Sequence, residues 1–171
     1  RKTRTLHLVR DRMGVKPLYW TIMDGTLLFG SELRALMAHP SFRKDVDPEA
    51  LDAMLRLSYV PAPATIFKNV FKLPPASILS VRAGEQPQIS RYWKIDEIAA
   101  RAPVAHTEAE IIDRLDALLR DSVKRRMISD VPLGAFLSGG TDSSIIVSLM
   151  QAISERPVKT YTIGVNDAAY D

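Results

Sequence analysis

A chain of 171 residues, 46% hydrophobic and 25% charged, has the make-up of one or two globular domains, which excludes a wholly disordered chain. Its 23 Lys and Arg against 20 Asp and Glu leave a net charge of only +3 with no long basic block, so composition points to neither nucleic acid nor an anionic membrane. The lack of any Cys excludes a disulfide scaffold, a Cys-ligated metal and a cysteine nucleophile within the chain.

Leu6, Leu8 and Arg10 alternate with His7 and Val9, a short strand signal, and 18–23 is a second strand candidate. Asp24-Gly25 is a two-residue hairpin turn before Leu27-Leu28-Phe29. The three pieces fit an antiparallel meander. Residues 31–38 follow as a short helix, with Ser31 as its expected cap and Pro40 just past its end. Asp47-Pro48-Glu49 opens the next helix, with Asp47 as cap and Pro48 in the first position. Leu51, Met54, Leu55 and Leu57 give that helix an apolar stripe, and the segment 60–63 ends it. Pro74-Pro75 is a further break, and 78–81 and 89–93 read as strands around a turn at Ala83-Gly84.

Residues 99–105 have no periodic pattern and read as linker. Thr107 and Glu110 form a capping-box pair that starts a long helix. Ile111, Ile112, Leu115, Leu118, Leu119, Val123 and Met127 share one face of it at helical spacing. An apolar strand over 131–137, a Gly-containing loop over 138–142, a helix over 143–152 and a strand over 158–163 then make a βαβ unit with a parallel sheet. No apolar run approaches ~18 residues, so no membrane helix is expected. The N-terminus, which begins at Arg1, lacks the apolar core of a signal peptide.

The loop Ser138-Gly139-Gly140-Thr141-Asp142-Ser143-Ser144 carries the chemistry. Two adjacent glycines let backbone amides approach a ligand, and the helix that follows aims its free amides and positive dipole end at the same place. A Cβ at Gly140 is expected either to stand where phosphate oxygens sit or to forbid a positive φ. Hydroxyls add donors, so the loop suits a phosphate group. Asp142 beside bound anions calls for a bridging Mg²⁺, since hard cations are shared between carboxylates and phosphates. A plain strand-to-helix turn, with Gly for geometry and Asp or Ser for capping, is the alternative reading. The string is not a Walker loop, because no Gly-Lys-Ser/Thr follows.

The string resembles the Ser-Gly-Gly-x-Asp-Ser pyrophosphate loop of the N-type ATP pyrophosphatases. Its flanks narrow the likeness. Residues 10–19 read Arg-Asp-Arg-Met-Gly-Val-Lys-Pro-Leu-Tyr, 29–36 read Phe-Gly-Ser-Glu-Leu-Arg-Ala-Leu, and 59–67 read Tyr-Val-Pro-Ala-Pro-Ala-Thr-Ile-Phe. Residues 72–75 read Lys-Leu-Pro-Pro, 91–93 read Arg-Tyr-Trp, and 129–137 lead into the loop. In this order the segments resemble the glutamine-hydrolysing asparagine synthetases over essentially the whole chain. Thr141 departs from the Leu or Val usual in the family, at a variable position.

The resemblance implies the α+β end of an N-terminal-nucleophile glutaminase domain over residues 1–95 and a linker over 96–106. The α/β start of an ATP pyrophosphatase domain, with a parallel sheet and a βαβ unit, follows over 107–171. The family's nucleophile is a Cys at the start of the mature chain, so no catalytic residue is assigned here, and the later ATP and aspartate residues are expected beyond Asp171. The resemblance assigns ATP contacts to Leu137, Ser138, Gly139, Gly140, Asp142, Ser143, Ser144 and Ile163, the last touching adenine, with Asp142 as the metal residue. ATP and Mg²⁺ are the implied cofactors. ATP, aspartate and glutamine are the implied partners in a cytoplasmic ligase, with no nucleic acid, no membrane, and a homodimer as the assembly to test. Leu137 and Ile163 also sit at strand carboxyl ends, where open parallel sheets bind ligands; plain sheet core is the other account of these two aliphatics.

Three alternatives stay open: a related amidotransferase acting on another carboxylate, a β-lactam-forming synthetase, and an inactive truncated piece. A GMP synthetase-like enzyme is disfavoured by the adjoining glutaminase-like segment. His7, His39 and His106 stand at no ligand spacing. Lys124-Arg125-Arg126 is expected to complement the helix dipole and face solvent, and Trp20, Tyr92 and Trp93 to pack on strands.

Overall fold

The computed structural model describes residues 4–101 and 106–164. The chain divides into two compact units, Arg1–Arg101 and Ala102–Asp171.

The first unit carries β1 (Thr5–Val9), β2 (Tyr19–Met23), β3 (Thr26–Gly30), α1 (Leu33–Met37), α2 (Pro48–Leu57), β4 (Phe71–Lys72), β5 (Ser77–Arg82), β6 (Gln88–Arg91) and α3 (Ile95–Ala99). The β2–β3 hairpin forms as expected, with Asp24 (φ 49°) and Gly25 (φ 74°) both left-handed in its turn. The expected meander does not. β1 pairs antiparallel with β5, Leu8 opposite Leu79, in a sheet of order β1-β5-β6, whereas β2 lies between β3 and β4 in a second sheet. The pairing of β1 is decided by burial. Leu8 and Leu79 enter one core with Trp20 and Leu73, while Met23, Leu36 and Val70 form a second.

Helix starts follow their caps, with one correction. Asp47 Oδ1 accepts from the Glu49 amide at 3.0 Å and Pro48 takes the first position of α2. Ser31 does not cap α1. That helix begins later, at Leu33, behind an extended Glu32 whose side chain makes no capping bond. The apolar stripe of α2 is exposed, with Leu55 at 79%, and Ala50 is its buried residue. α3 occupies the start of the segment expected as linker, and residues 102–105 of that segment lie outside the described residues. Trp20 packs as expected. Tyr92 instead stands exposed and donates its hydroxyl to the Arg10 carbonyl at 2.8 Å.

The Arg10-Asp11 segment is a braced loop between β1 and β2. The guanidinium of Arg10 donates to the carbonyls of Lys16 (3.0 Å), Leu73 (2.6 Å) and Gly14 (3.0 Å). Five donors in a rigid fork make Arg suited to such a convergence of carbonyls. Lys72 donates its ammonium to the Val60 carbonyl. Burial, then the nearby positive charge of Arg10, push the Lys72 pKa down.

The second unit holds α4 (Glu108–Arg126), β7 (Gly134–Phe136), α5 (Thr141–Ile153) and β8 (Lys159–Tyr161). The capping box forms: Thr107 Oγ1 accepts from the Glu110 amide at 3.3 Å and Glu110 Oε2 accepts from the Thr107 amide at 2.8 Å. The Thr107 amide, and after it the Thr107 hydroxyl donating to Glu110 Oε2 at 3.0 Å, hold the Glu110 pKa below its ordinary value. β7 and β8 run parallel, Ala135 opposite Thr160, joined through α5 as the expected βαβ unit, though both strands are shorter than their apolar runs. Val123, Leu149 and Met150 form the core, with Leu119, Met127, Ala135, Ile153 and Val158 around them. Only the C-terminal half of the α4 stripe joins this core; Ile111, Ile112, Leu115 and Leu118 are exposed. At the end of α4, Arg125 pairs with Asp121 at 2.7 Å and Arg126 bonds Ser122, so these two basic side chains engage their own helix.

Candidate nucleotide site at the carboxyl end of a parallel strand pair

The sheet, the loop and the helix place the candidate site. β7 ends at Phe136, the loop runs from Leu137 to Gly140, and α5 begins at Thr141. Gly140 is the N-cap residue and has no side chain with which to cap. The backbone amides of Gly139, Gly140, Thr141, Asp142 and Ser143 make no hydrogen bond among the described residues. A consecutive row of free amides at the positive end of a thirteen-residue helix is a seat for an anion.

The two glycines serve differently. Gly139 has φ +82°, a conformation that L side chains rarely adopt, and the space where a Cβ would stand is open. Gly140 has φ −75°, and an added Cβ would meet only Ser138 Oγ, at 3.5 Å. The expectation of a positive φ at Gly140 is therefore corrected: the sharp turn sits at Gly139. At Gly140 neither backbone angle nor protein packing demands glycine, so a requirement for room beside the loop is what remains to test there.

Hydroxyls order the mouth of the loop. Ser138 Oγ and Ser143 Oγ lie 3.0 Å apart, Ser143 Oγ donates to the Gly140 carbonyl at 3.0 Å, and Ser144 Oγ donates to the same carbonyl at 2.9 Å. The Gly140 carbonyl also accepts from the Ser144 amide at 3.1 Å. These bonds engage the Gly140 carbonyl with the first turn of the helix. Asp142 is exposed in the first turn of α5, and its carboxylate makes no hydrogen bond or ion pair among the described residues.

No group of three or more His, Cys, Asp or Glu that could hold a metal is found among the described residues. The donor set at Asp142 is one carboxylate beside free amides. It fits a cation shared with bound phosphate oxygens and does not fit a cation held by protein alone. One ring nitrogen of each histidine is hydrogen-bonded: His7 Nδ1 with Ser80 Oγ, His39 Nδ1 with the Ser41 amide and His106 Nε2 with Arg114.

The structure brings Leu137, Ser138, Gly139, Gly140, Asp142, Ser143 and Ser144 into one turn of chain. Ile163 lies beyond β8 and is 80% exposed. Leu137 and the residues after β8 meet at the same end of the sheet: the Leu137 amide donates to the Tyr161 carbonyl at 2.9 Å, and Thr162 Oγ1 donates to the Leu137 carbonyl at 2.6 Å. Sequence reasoning did not single out Thr162. A hydroxyl just after the second strand of a βαβ unit was the available signal. A depression beside the loop is lined by Gly139, Thr141, Ser144, Ile145, Ser148 and Leu149. It runs along a flank of α5 and omits Ser138, Asp142 and Ser143, so it does not coincide with the free amide row.

Comparison with known proteins agrees with this division of the chain. Residues 1–93 match the glutamine amidotransferase domain family, and residues 114–171 match the asparagine synthase family. The chain is 35% identical over 169 residues to a glutamine-hydrolysing asparagine synthetase of Bacillus subtilis, covering 95% of this chain and 26% of the relative. It is also 35% identical over 167 residues to a putative glutamine-hydrolysing asparagine synthetase of Methanocaldococcus jannaschii, covering 95% of this chain and 31% of that protein. An amidase of Penicillium rubens is 31% identical over 151 residues, 88% of this chain and 22% of the amidase. The chain thus spans between about a fifth and a third of the length of these curated relatives.

Proposed function

Since the chain belongs to the glutamine amidotransferase domain family and runs on into the start of an asparagine synthase domain, we propose that it is the junction of an ATP-dependent, glutamine-hydrolysing asparagine synthetase. The first unit is then the end of an N-terminal-nucleophile glutaminase domain, over residues 1–95. The second is the start of an α/β ATP pyrophosphatase domain, over residues 107–171, with 96–106 between them. The observation that carries the reading is the row of free amides from Gly139 to Ser143 at the carboxyl end of a parallel strand.

The mechanism follows from what that row can bind. ATP places its β- and γ-phosphates against the amides, and the hydroxyls of Ser138, Ser143 and Ser144 supply further donors once they rotate out of their present bonds to one another and to the Gly140 carbonyl. Ile163, at the end of the neighbouring strand, offers an exposed apolar surface to the adenine. Asp142 would hold Mg²⁺ together with the phosphate oxygens, and the ion would supply charge neutralisation there. The aspartate side-chain carboxylate attacks the α-phosphorus, and the bond to the β-phosphate oxygen breaks, releasing pyrophosphate. The amides stabilise the charge that grows on the departing group. Ammonia from glutamine then adds to the acyl carbon, the added nitrogen gives up one proton to solvent, and AMP leaves with the acyl-oxygen bonding pair. The expected setting is cytoplasmic; no helix among the described residues is long and apolar enough to cross a membrane.

The test is aspartate-dependent exchange of labelled pyrophosphate into ATP by the full-length protein. Exchange that needs aspartate and Mg²⁺ supports the reading, and no exchange with any carboxylate overturns it. The second reading is a related amidotransferase acting on another carboxylate. Exchange driven by a different acid and not by aspartate would select it.

A further inference from the structure

Leu137 is the last fixed backbone position before the candidate phosphate loop. Its amide is held by the Tyr161 carbonyl at 2.9 Å and its carbonyl by Thr162 Oγ1 at 2.6 Å. From Gly139 to Ser143 the amides have no protein acceptor among the described residues, and the chain turns at Gly139 with φ +82°. The loop therefore swings from Leu137, and the direction in which its free amides point is set there. The Leu137 carbonyl has a second consequence. A carbonyl oxygen left free at the edge of an anion site repels the anion, whereas one that accepts from a hydroxyl is turned away and partly neutralised. Thr162 is also the residue directly before Ile163, so one side-chain bond ties the origin of the phosphate loop to the strand end expected to meet the base.

We propose that Thr162 is a positioning residue for the nucleotide, acting through Leu137: its hydroxyl aims the free amide row at the phosphates and holds Ile163 in register with it. The inference rests on the reading of this loop as an ATP site. Thr162 is exposed, so the bond is not required by a packed interior. Valine has nearly the same shape and strand preference without the donor.

The experiment uses the full-length protein as wild type, Thr162→Val and Thr162→Ser. Calorimetric titration gives the ATP dissociation constant with Mg²⁺, steady-state kinetics give KM for ATP and for the acceptor acid, and melting is followed alongside. Loss of one hydroxyl bond predicts an ATP Kd and KM raised roughly three- to tenfold in the valine variant, an acceptor KM within about twofold of wild type, and recovery to within about twofold in the serine variant. Unchanged ATP affinity in Thr162→Val, or a serine variant as weak as the valine one, overturns the positioning role. Should the valine variant not fold, Thr162→Ala is read by the same criteria. A wild type that binds no ATP overturns the ATP-site reading itself, and the positioning role with it, a result distinct from a wild type and a valine variant that bind equally well.

Discussion

Asp11 Oδ2 accepts from the Val15 amide at 2.9 Å, inside the same loop that Arg10 fastens to Leu73. Asp11 Oδ1 accepts from Lys16 at 3.3 Å, and the Asp11 carbonyl accepts from Gly14 (3.1 Å) and Ala76 (2.9 Å). One residue thus satisfies amides on both sides of a long-range junction. The motif that marks the family on paper is, in the folded chain, the joint between its two N-terminal sheets.

That joint carries a pH signature. The Val15 amide, opposed by partial desolvation and aided by the amides of Lys16, Gly14 and Met13, holds the Asp11 carboxyl below its ordinary value. A depressed folded-state pKa gives stability that is present above the unfolded value, ~3.9 for Asp, and is lost as pH falls through the folded value. Thermal melts of wild type and Asp11→Asn should therefore differ most near neutrality, the wild type melting higher, and should converge as the pH drops below about 4. A gap that stays constant across that window would remove the charge-based account.

The two loop glycines should separate in opposite directions. Alanine at Gly139 must take a left-handed conformation, at roughly 1–2 kcal/mol, so Gly139→Ala should lower the melting temperature. Gly140→Ala faces no such strain and should melt like wild type, yet, if the amide row holds phosphate as proposed, its Cβ at the head of that row should weaken ATP binding strongly. Melts and ATP titration on both variants of the full-length protein check this. A Gly140→Ala variant with normal ATP affinity would show that the amide row does not hold phosphate.

If the proposed function holds, Asp142→Asn should separate synthesis from glutamine hydrolysis in the full-length protein. Removing one charge from the proposed cation site predicts a loss of synthesis on the order of 10²-fold or more, with ammonia release from glutamine unchanged. Parallel assays of AMP and of ammonia decide it; synthesis within a few fold of wild type contradicts the role of Asp142.

The 171-residue chain by itself should release no ammonia from glutamine, since it contains no Cys to act as nucleophile. Release from the purified chain above a buffer control would require another nucleophile within it.

What the sequence showed clearly was local. The Asp24-Gly25 turn, the Asp47 cap and the Thr107–Glu110 box each depend on a few adjacent residues, and each formed. The order of strand, loop and helix around Gly139-Gly140 was visible for the same reason. The partner of β1 was not, because β5 lies some 70 residues away and only shared burial of Leu8 and Leu79 selects it. Ser31 was misread because α1 starts two residues later, behind an extended Glu32, and the pattern of side chains is silent about φ and ψ. The division of labour between Gly139 and Gly140, and the Thr162 bond, likewise depend on backbone angles and on contact between strands.

The β7–β8 pair has consequences for anyone handling this chain alone. Parallel strands ordinarily lie between two layers, yet Phe136, Tyr161 and Ile163 are exposed, as is half of the α4 stripe. Such a surface behaves as an adhesive in concentrated solution. Light scattering from the purified chain should rise steeply with protein concentration and fall in mild detergent, and charged replacements at Phe136 or Ile112 should improve yield without touching the phosphate loop.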